Sequence, residues 1–231
     1  MTRALRIVPG DILPPELART FVLGGERAAA VPTGVDALDA ELQGGLPRAA
    51  LTEILAEDGE GAEWLALRAL SRAGGRVAIL DSDDSFHPPG AAALGLDLSR
   101  TLIVRERRPR EVLYALERLA REKHLRATLA WPGALQDTFL RRLQLAAERS
   151  GQCVMLLCAR AGETSWGALR LRVRAVRGQG ARVLEVHTLR ARGGILPRPV
   201  RIEVDDGTLS VRMAAALPHP AVDAGRRALG A

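Results

Sequence analysis

The sequence predicts a three-layer α/β fold whose mostly parallel sheet continues into C-terminal antiparallel strands. Three observations carry that expectation. Strand-like apolar runs alternate with helical segments from Val31 to about residue 159. One of those runs, RVAILD over 76–81, is apolar almost throughout, as in a parallel strand covered on both faces. Beyond residue 168 the pattern becomes strict alternation of apolar and polar residues, the mark of a sheet with two unlike faces.

The elements follow in order. Residues 1–30 are mixed in character and read as an arm. TGVDALDAEL over 33–42 has a Thr cap and helical apolar spacing at Val35, Leu38 and Leu42. Residues 52–55 form a short strand, and 62–72 a helix ended by Gly74-Gly75. After the strand at 76–81, another is expected at 100–104. A helix over 110–123 follows, with Val112, Leu116 and Leu119 in one stripe. RATLAW over 126–131 is a strand, 135–150 a helix through Leu135, Phe139, Leu143 and Ala146, and 153–159 the last core strand. Alternating segments at 168–176, 183–188, 199–204 and 208–213 form the antiparallel flank, with Asp206-Gly207 as a tight hairpin turn. Residues 217–231 read as a flexible tail, leaving 31–216 as the core domain.

Composition narrows the function. Apolar residues make up 47% of 231, enough for a core without disulfides. Cys153 and Cys158 lie five positions apart on one strand, so they point to opposite faces and cannot pair there. Buried thiols in a reducing cytoplasm are expected. No segment has the roughly 18 consecutive apolar residues that a membrane span requires, so no membrane contact is expected. Charge is unevenly placed: residues 1–165 carry 21 basic and 22 acidic side chains, residues 166–231 carry 12 and 5. Lys123 is the single lysine, so any chemistry that needs a lysine must use it.

Two long stretches carry a family resemblance. VPTGVDALDAELQGGLPRAALTEI (31–54) is similar to the segment that leads into the first core strand of RecA proteins. LDSDDSFHPPGAAALGLDLSRTLIV (80–104) resembles the RecA segment in which an Asp-x-Glu follows the second strand. The resemblance covers about 31–190 and implies a RecA-like fold. Within that superfamily, the compact length, the altered phosphate loop and the Arg-Ala-Arg-Gly-Gly at 190–194 look most like the ImuA family, RecA-like accessories of mutagenic translesion synthesis.

The departures from RecA are as informative as the matches. A working phosphate loop needs Gly residues whose N–H groups face phosphate, a Lys on the outer phosphates and a hydroxyl on Mg²⁺. The corresponding turn is Ala56-Glu57-Asp58-Gly59-Glu60-Gly61-Ala62-Glu63, in which only Gly61 matches. Ala62 takes the Lys place and Glu63 the hydroxyl place, among the carboxylates of Glu57, Asp58 and Glu60. Like charges that close to a triphosphate cost on the order of 1 kcal/mol each. The anion at the helix end is expected to be the protein's own side chain. Ala130 and Trp131 stand where a metal-orienting Asp would end a strand. Asp83 matches the water-activating Glu of RecA proteins but has no nucleotide to act on. No catalysis and no cofactor are therefore expected.

Other features admit two readings. Arg170, Arg172 and Arg174 fall on one side of a strand with Leu169, Leu171 and Val173 inward, and Arg190, Arg192, Arg198 and Arg201 follow. They are either a solvated face or a contact surface for an acidic partner or DNA backbone. DNA contact is expected to be weak, since the loops at 132–134 and 160–167 are short and aromatic residues number seven. Asp81, Asp83, Asp84 and His87 read as a polar loop rather than a metal cluster. Trp64 is read as filling space that nucleotide would take, and Phe139-Leu140 as core rather than part of a sliding-clamp-binding peptide. By resemblance, the expected role is a non-catalytic adaptor in SOS-induced mutagenesis. Its partners would be an ImuB-like inactive Y-family polymerase, an error-prone replicative-type polymerase and RecA itself. The alternatives are an SOS cell-division inhibitor and a weak RecA-like ATPase or DNA-binding module.

Overall fold

The computed structural model describes residues 30–57, 59–159, 165–177, 182–192, 196–205 and 211–213. The expected arm (apart from Ala30), Asp58, most of the loop over 160–167, the Asp206-Gly207 turn and the expected tail lie outside the described residues. A two-stranded ribbon, β1 (Ala30–Val31) and β2 (Leu46–Pro47), brackets helix α1 (Asp36–Glu41). The main sheet then begins with β3 (Ala50–Leu55), followed by α2 (Ala62–Ser71), β4 (Arg76–Asp81), α3 (Pro88–Ala93) and β5 (Thr101–Arg105). Next come α4 (Pro109–Arg121), β6 (Leu125–Ala130), α5 (Asp137–Ser150) and β7 (Cys153–Cys158). The flank is β8 (Leu169–Arg177), β9 (Arg182–Ala191), β10 (Val200–Val204) and β11 (Val211–Met213).

Nine strands pair in the order β11-β10-β9-β8-β3-β7-β6-β4-β5. From β8 to β5 every pairing is parallel, and from β8 to β11 every pairing is antiparallel. The predicted class is thus the observed one. Alternation of side chains on each strand divides the core into two layers. One layer joins Ile54, Ile79 and Met155 of the sheet to Leu38, Leu65 and Leu70 of α1 and α2, and runs on to Leu171, Leu184 and Ile202 of the flank. The other sets Leu51, Leu80 and Leu156 against Leu116 of α4 and Leu143 of α5. Phe139 and Leu140 belong to this second layer, as their helical spacing requires.

Several boundaries shift for physical reasons. The first helix starts later than the Thr33 cap implies. Thr33 is buried, and the Asp39 carboxylate gathers its N–H (2.7 Å), its hydroxyl (2.7 Å) and the Gly34 N–H (3.2 Å). Helix α3 was hidden by its Pro-Pro-Gly start. Pro at the first turn is tolerated there, and the His87 ring Nδ1 caps it by accepting from the Gly90 N–H at 3.1 Å. Cys153 packs in the first core layer and Cys158 against the second, opposite faces as the strand period demands. Burial pushes the Cys153 thiol up to about 12 and the Cys158 thiol up to about 11. Among the described residues no helix is long and apolar enough to cross a membrane.

Candidate functional site

In open α/β sheets ligands bind beyond the carboxyl ends of the strands. The turn after β3 occupies that place, and its groups are engaged from within the chain. The Glu57 N–H donates to Glu60 Oε2 at 2.9 Å, while the Glu60 N–H donates to the Glu57 carbonyl at 3.1 Å. The self-supplied anion thus sits in the turn rather than on the helix end, where Gly61 caps α2 without a side-chain hydrogen bond. From the flank, the Arg182 guanidinium donates to the Gly59 carbonyl. Gly61 has φ 89°, and a Cβ there would lie 2.7 Å from Leu184 Cδ2, so only glycine lets β9 pack this close. Ala62, at the expected Lys place, is 8% exposed and its methyl belongs to the core.

Acids crowd the neighbouring strand end. Burial, then the Asp83 and Asp81 carboxylates, raise the Glu63 carboxyl above its ordinary range, with His87 opposing them. Asp81 is fully buried and accepts from Arg105 Nε at 3.2 Å and the Ser85 N–H at 3.1 Å. Arg105 Nε also lies 3.4 Å from Asp84 Oδ1, and Arg107 pairs with Asp84. His87 is committed to capping α3. These contacts make a braced polar loop, and no metal-holding group of three or more such residues occurs among the described residues. At the end of β6 no carboxylate is presented; the Trp131 carbonyl accepts from the Ser82 hydroxyl at 2.6 Å, tying β6 to the end of β4. Trp64 is half-buried against the first core layer with the Arg68 guanidinium 5.5 Å from its ring centroid.

The expected arginine face needs one correction. Arg170 is buried, not solvated, and pairs with the buried Glu53 on adjacent β3 through Nη2 at 2.6 Å and Nε at 3.1 Å. Alternation placed Arg170 beside Arg172 and Arg174 correctly, but β8 lies inside the sheet between β3 and β9, and Arg170 turns onto Glu53 of β3. Glu53 also accepts from the Ser165 hydroxyl and, at 3.3 Å, from the Gly167 N–H, so one carboxylate fixes the start of β8. In the sequence the one signal of Glu53 is an acid inside the otherwise uncharged run ALTEIL. Arg174, Arg190, Arg192 and Arg198 are exposed and Arg172 is half-buried. They do not form one patch. Arg192 pairs with Glu148 of α5 at 2.8 Å, Arg190 donates to the Ser165 carbonyl, and the Arg198 N–H reaches Glu41 of α1 at 3.0 Å. Arg201 pairs with Glu185 at 2.5 Å on the flank.

Fold and site geometry together define a RecA-like α/β domain. The crystal structure of the RadB recombinase superposes with a TM-score of 0.66 at 17% identity, covering 80% of this chain and all of that one. In sequence, the chain is 31% identical over 98 residues to the RecA protein of Picosynechococcus sp. and 38% identical over 101 residues to that of Chlorobium chlorochromatii. Those matches take in 41% and 42% of this chain. The chain spans only 28% and 29% of these two relatives' lengths. No family model matches it.

Proposed function

We propose that this chain is a catalytically inert RecA-fold adaptor of the ImuA type, acting in damage-induced mutagenic translesion synthesis. It docks an ImuB-like inactive Y-family polymerase and an error-prone replicative-type polymerase, with RecA as a further partner. The observation that carries the reading is the turn after β3. A triphosphate needs backbone N–H groups, an ammonium and a metal-holding hydroxyl at this position. Here Glu60 holds the Glu57 N–H, Ala62 is a core methyl, and Glu57, Glu60 and Glu63 supply negative charge. That donor set does not fit a nucleotide with its magnesium, and a RecA fold without nucleotide turnover is left with its surfaces.

Two measurements test this. Calorimetry with a non-hydrolysable ATP analogue and Mg²⁺ is expected to show no binding heat; saturable binding at this turn would make the chain a weak ATPase instead. Affinity capture from DNA-damaged cells is expected to recover the two polymerase-related partners; their absence would end the adaptor reading. The C-terminal excess of arginine favours a DNA-binding module as a second reading. It requires binding of single-stranded DNA that falls steeply with salt, and no binding in dilute buffer would remove it.

A further inference from the structure

A cleft of about 700 Å³ opens where α5 faces the start of β8 and the end of β9. Leu145 and Trp166 line it, and both are exposed, at 42% and 41%. Single exposed apolar side chains are ordinary, but here two of them share one concavity. Arg141, Arg190 and Arg192 stand around them, and among the described lining residues the one carboxylate is that of Glu148, which Arg192 holds. Hydrogen bonds from Gln144 and Arg192 hold the Glu148 carboxyl below the ordinary carboxylate range. The described lining of the cleft therefore combines an excess of positive charge with exposed apolar surface.

We infer that this cleft is a docking groove for an acidic protein segment that carries an apolar anchor side chain. The excess of guanidinium over carboxylate in this lining selects a negatively charged occupant, and Arg pairs with carboxylates through a planar fork. The apolar lining selects for protein over nucleic acid. Single strands are held by successive open aromatic faces, whereas here the one aromatic ring has the Arg141 guanidinium 5.3 Å from its centroid. Leu145 offers nothing for a base to stack on, while it suits an inserted Leu or Phe. The walls are pre-organised, because the buried Glu53–Arg170 pair fixes Ser165 and Gly167, the residues on either side of Trp166. Aromatic and Arg side chains on a rigid frame are the usual composition of interface hot spots.

The groove deepens the adaptor reading and rests on it for the occupant being a protein. The probe is a labelled synthetic peptide alternating Asp or Glu with Leu and Phe, measured by fluorescence anisotropy. Controls replace its acids with Lys, or its apolar residues with Ala, and oligo(dT) serves as the nucleic-acid arm. The acidic apolar peptide is expected to bind the full chain, and both peptide controls to fail. Arg141→Glu with Arg190→Glu, and separately Trp166→Ala, should each weaken it by about tenfold or more. All three side chains are on the surface, and an unchanged melting transition establishes that the variants fold. Equal peptide binding by the wild type and the double variant overturns the proposal. So does oligo(dT) binding that the double variant abolishes while no peptide binds. If the captured polymerase partners bind the double variant undiminished and the peptide never binds, the groove fails and the adaptor reading stands. If the peptide binds as expected but no partner is captured, the groove stands and the adaptor reading fails.

Discussion

Strand β3 and the turn after it carry the same kind of residue in two opposite roles. Glu53, inside the strand, is met by a guanidinium, a hydroxyl and a backbone N–H. Just beyond it, Glu63 faces the Asp83 and Asp81 carboxylates of the next strand end, and Glu60 has the Glu57 N–H as its donor. A carboxylate with matched donors becomes a structural pin. A carboxylate such as Glu63, set beside other acids, adds to a field that an incoming anion must oppose. The difference lies in what the adjacent strands supply: β8 offers Arg170 to the pin, while β9 offers Arg182 only to a carbonyl of the turn.

The comparison can be broken most forcefully at the pin. Arg170→Ala strands the Glu53 charge in the interior and is expected to cost about 3–5 kcal/mol in urea unfolding. The double replacement Glu53→Leu with Arg170→Met should cost much less than either single change, because an apolar pair of similar volume carries no desolvation penalty. If the two single losses simply add in the double variant, the pair is not acting as a unit.

The next largest effect concerns how the flank closes over the turn. Leu184 is 1% exposed and rests on Gly61, so Leu184→Ala is expected to cost about 3 kcal/mol. Gly61→Ala is expected to cost about 1–2 kcal/mol from its left-handed backbone alone, and its loss should shrink in the Leu184→Ala background, where the added methyl finds room. A double-mutant cycle reads this directly; strict additivity would mean that β9 does not press on the turn.

The smallest expected effect belongs to Glu63. Its carboxyl holds a proton to higher pH when folded than when unfolded, so the folded chain loses stability as pH rises from the ordinary value of 4.5 through the raised one. Below that window the penalty is absent. Glu63→Gln should therefore raise the melting temperature at neutral pH and leave it nearly unchanged near pH 4. A gain that persists undiminished in acid would show that burial and the Asp83 and Asp81 carboxylates do not raise this carboxyl.

How far these roles could be read in the sequence follows from the distance between partners. RVAILD predicted β4 to the residue, because an apolar run this short, preceded by Gly74-Gly75 and carrying the β-branched Val77 and Ile79, favours a strand over a helix. The turn's acids and the missing lysine were legible because they stand side by side. The Glu53–Arg170 pair was not, since its members are 117 positions apart and only the sheet order β8-β3-β7 brings them together. Alternation identified the face Arg170 lies on but not what covers that face. The Arg182 contact on Gly59 was hidden for the same reason, at a separation of 123. Helix α3 was missed locally, because Pro-Pro-Gly reads as a loop unless the His87 cap is known.

The two cysteines give the molecule a built-in clock. Cys153 is at the centre of the sheet with its thiol raised to about 12, so at neutral pH it offers alkylating reagents neither a thiolate nor a path. Modification then waits for β7 to separate from β3 and β6, and the rate at saturating reagent becomes the rate at which the middle of the sheet opens. Occupancy of a distant surface by a partner would slow that labelling if, and only if, the partner stiffens the sheet.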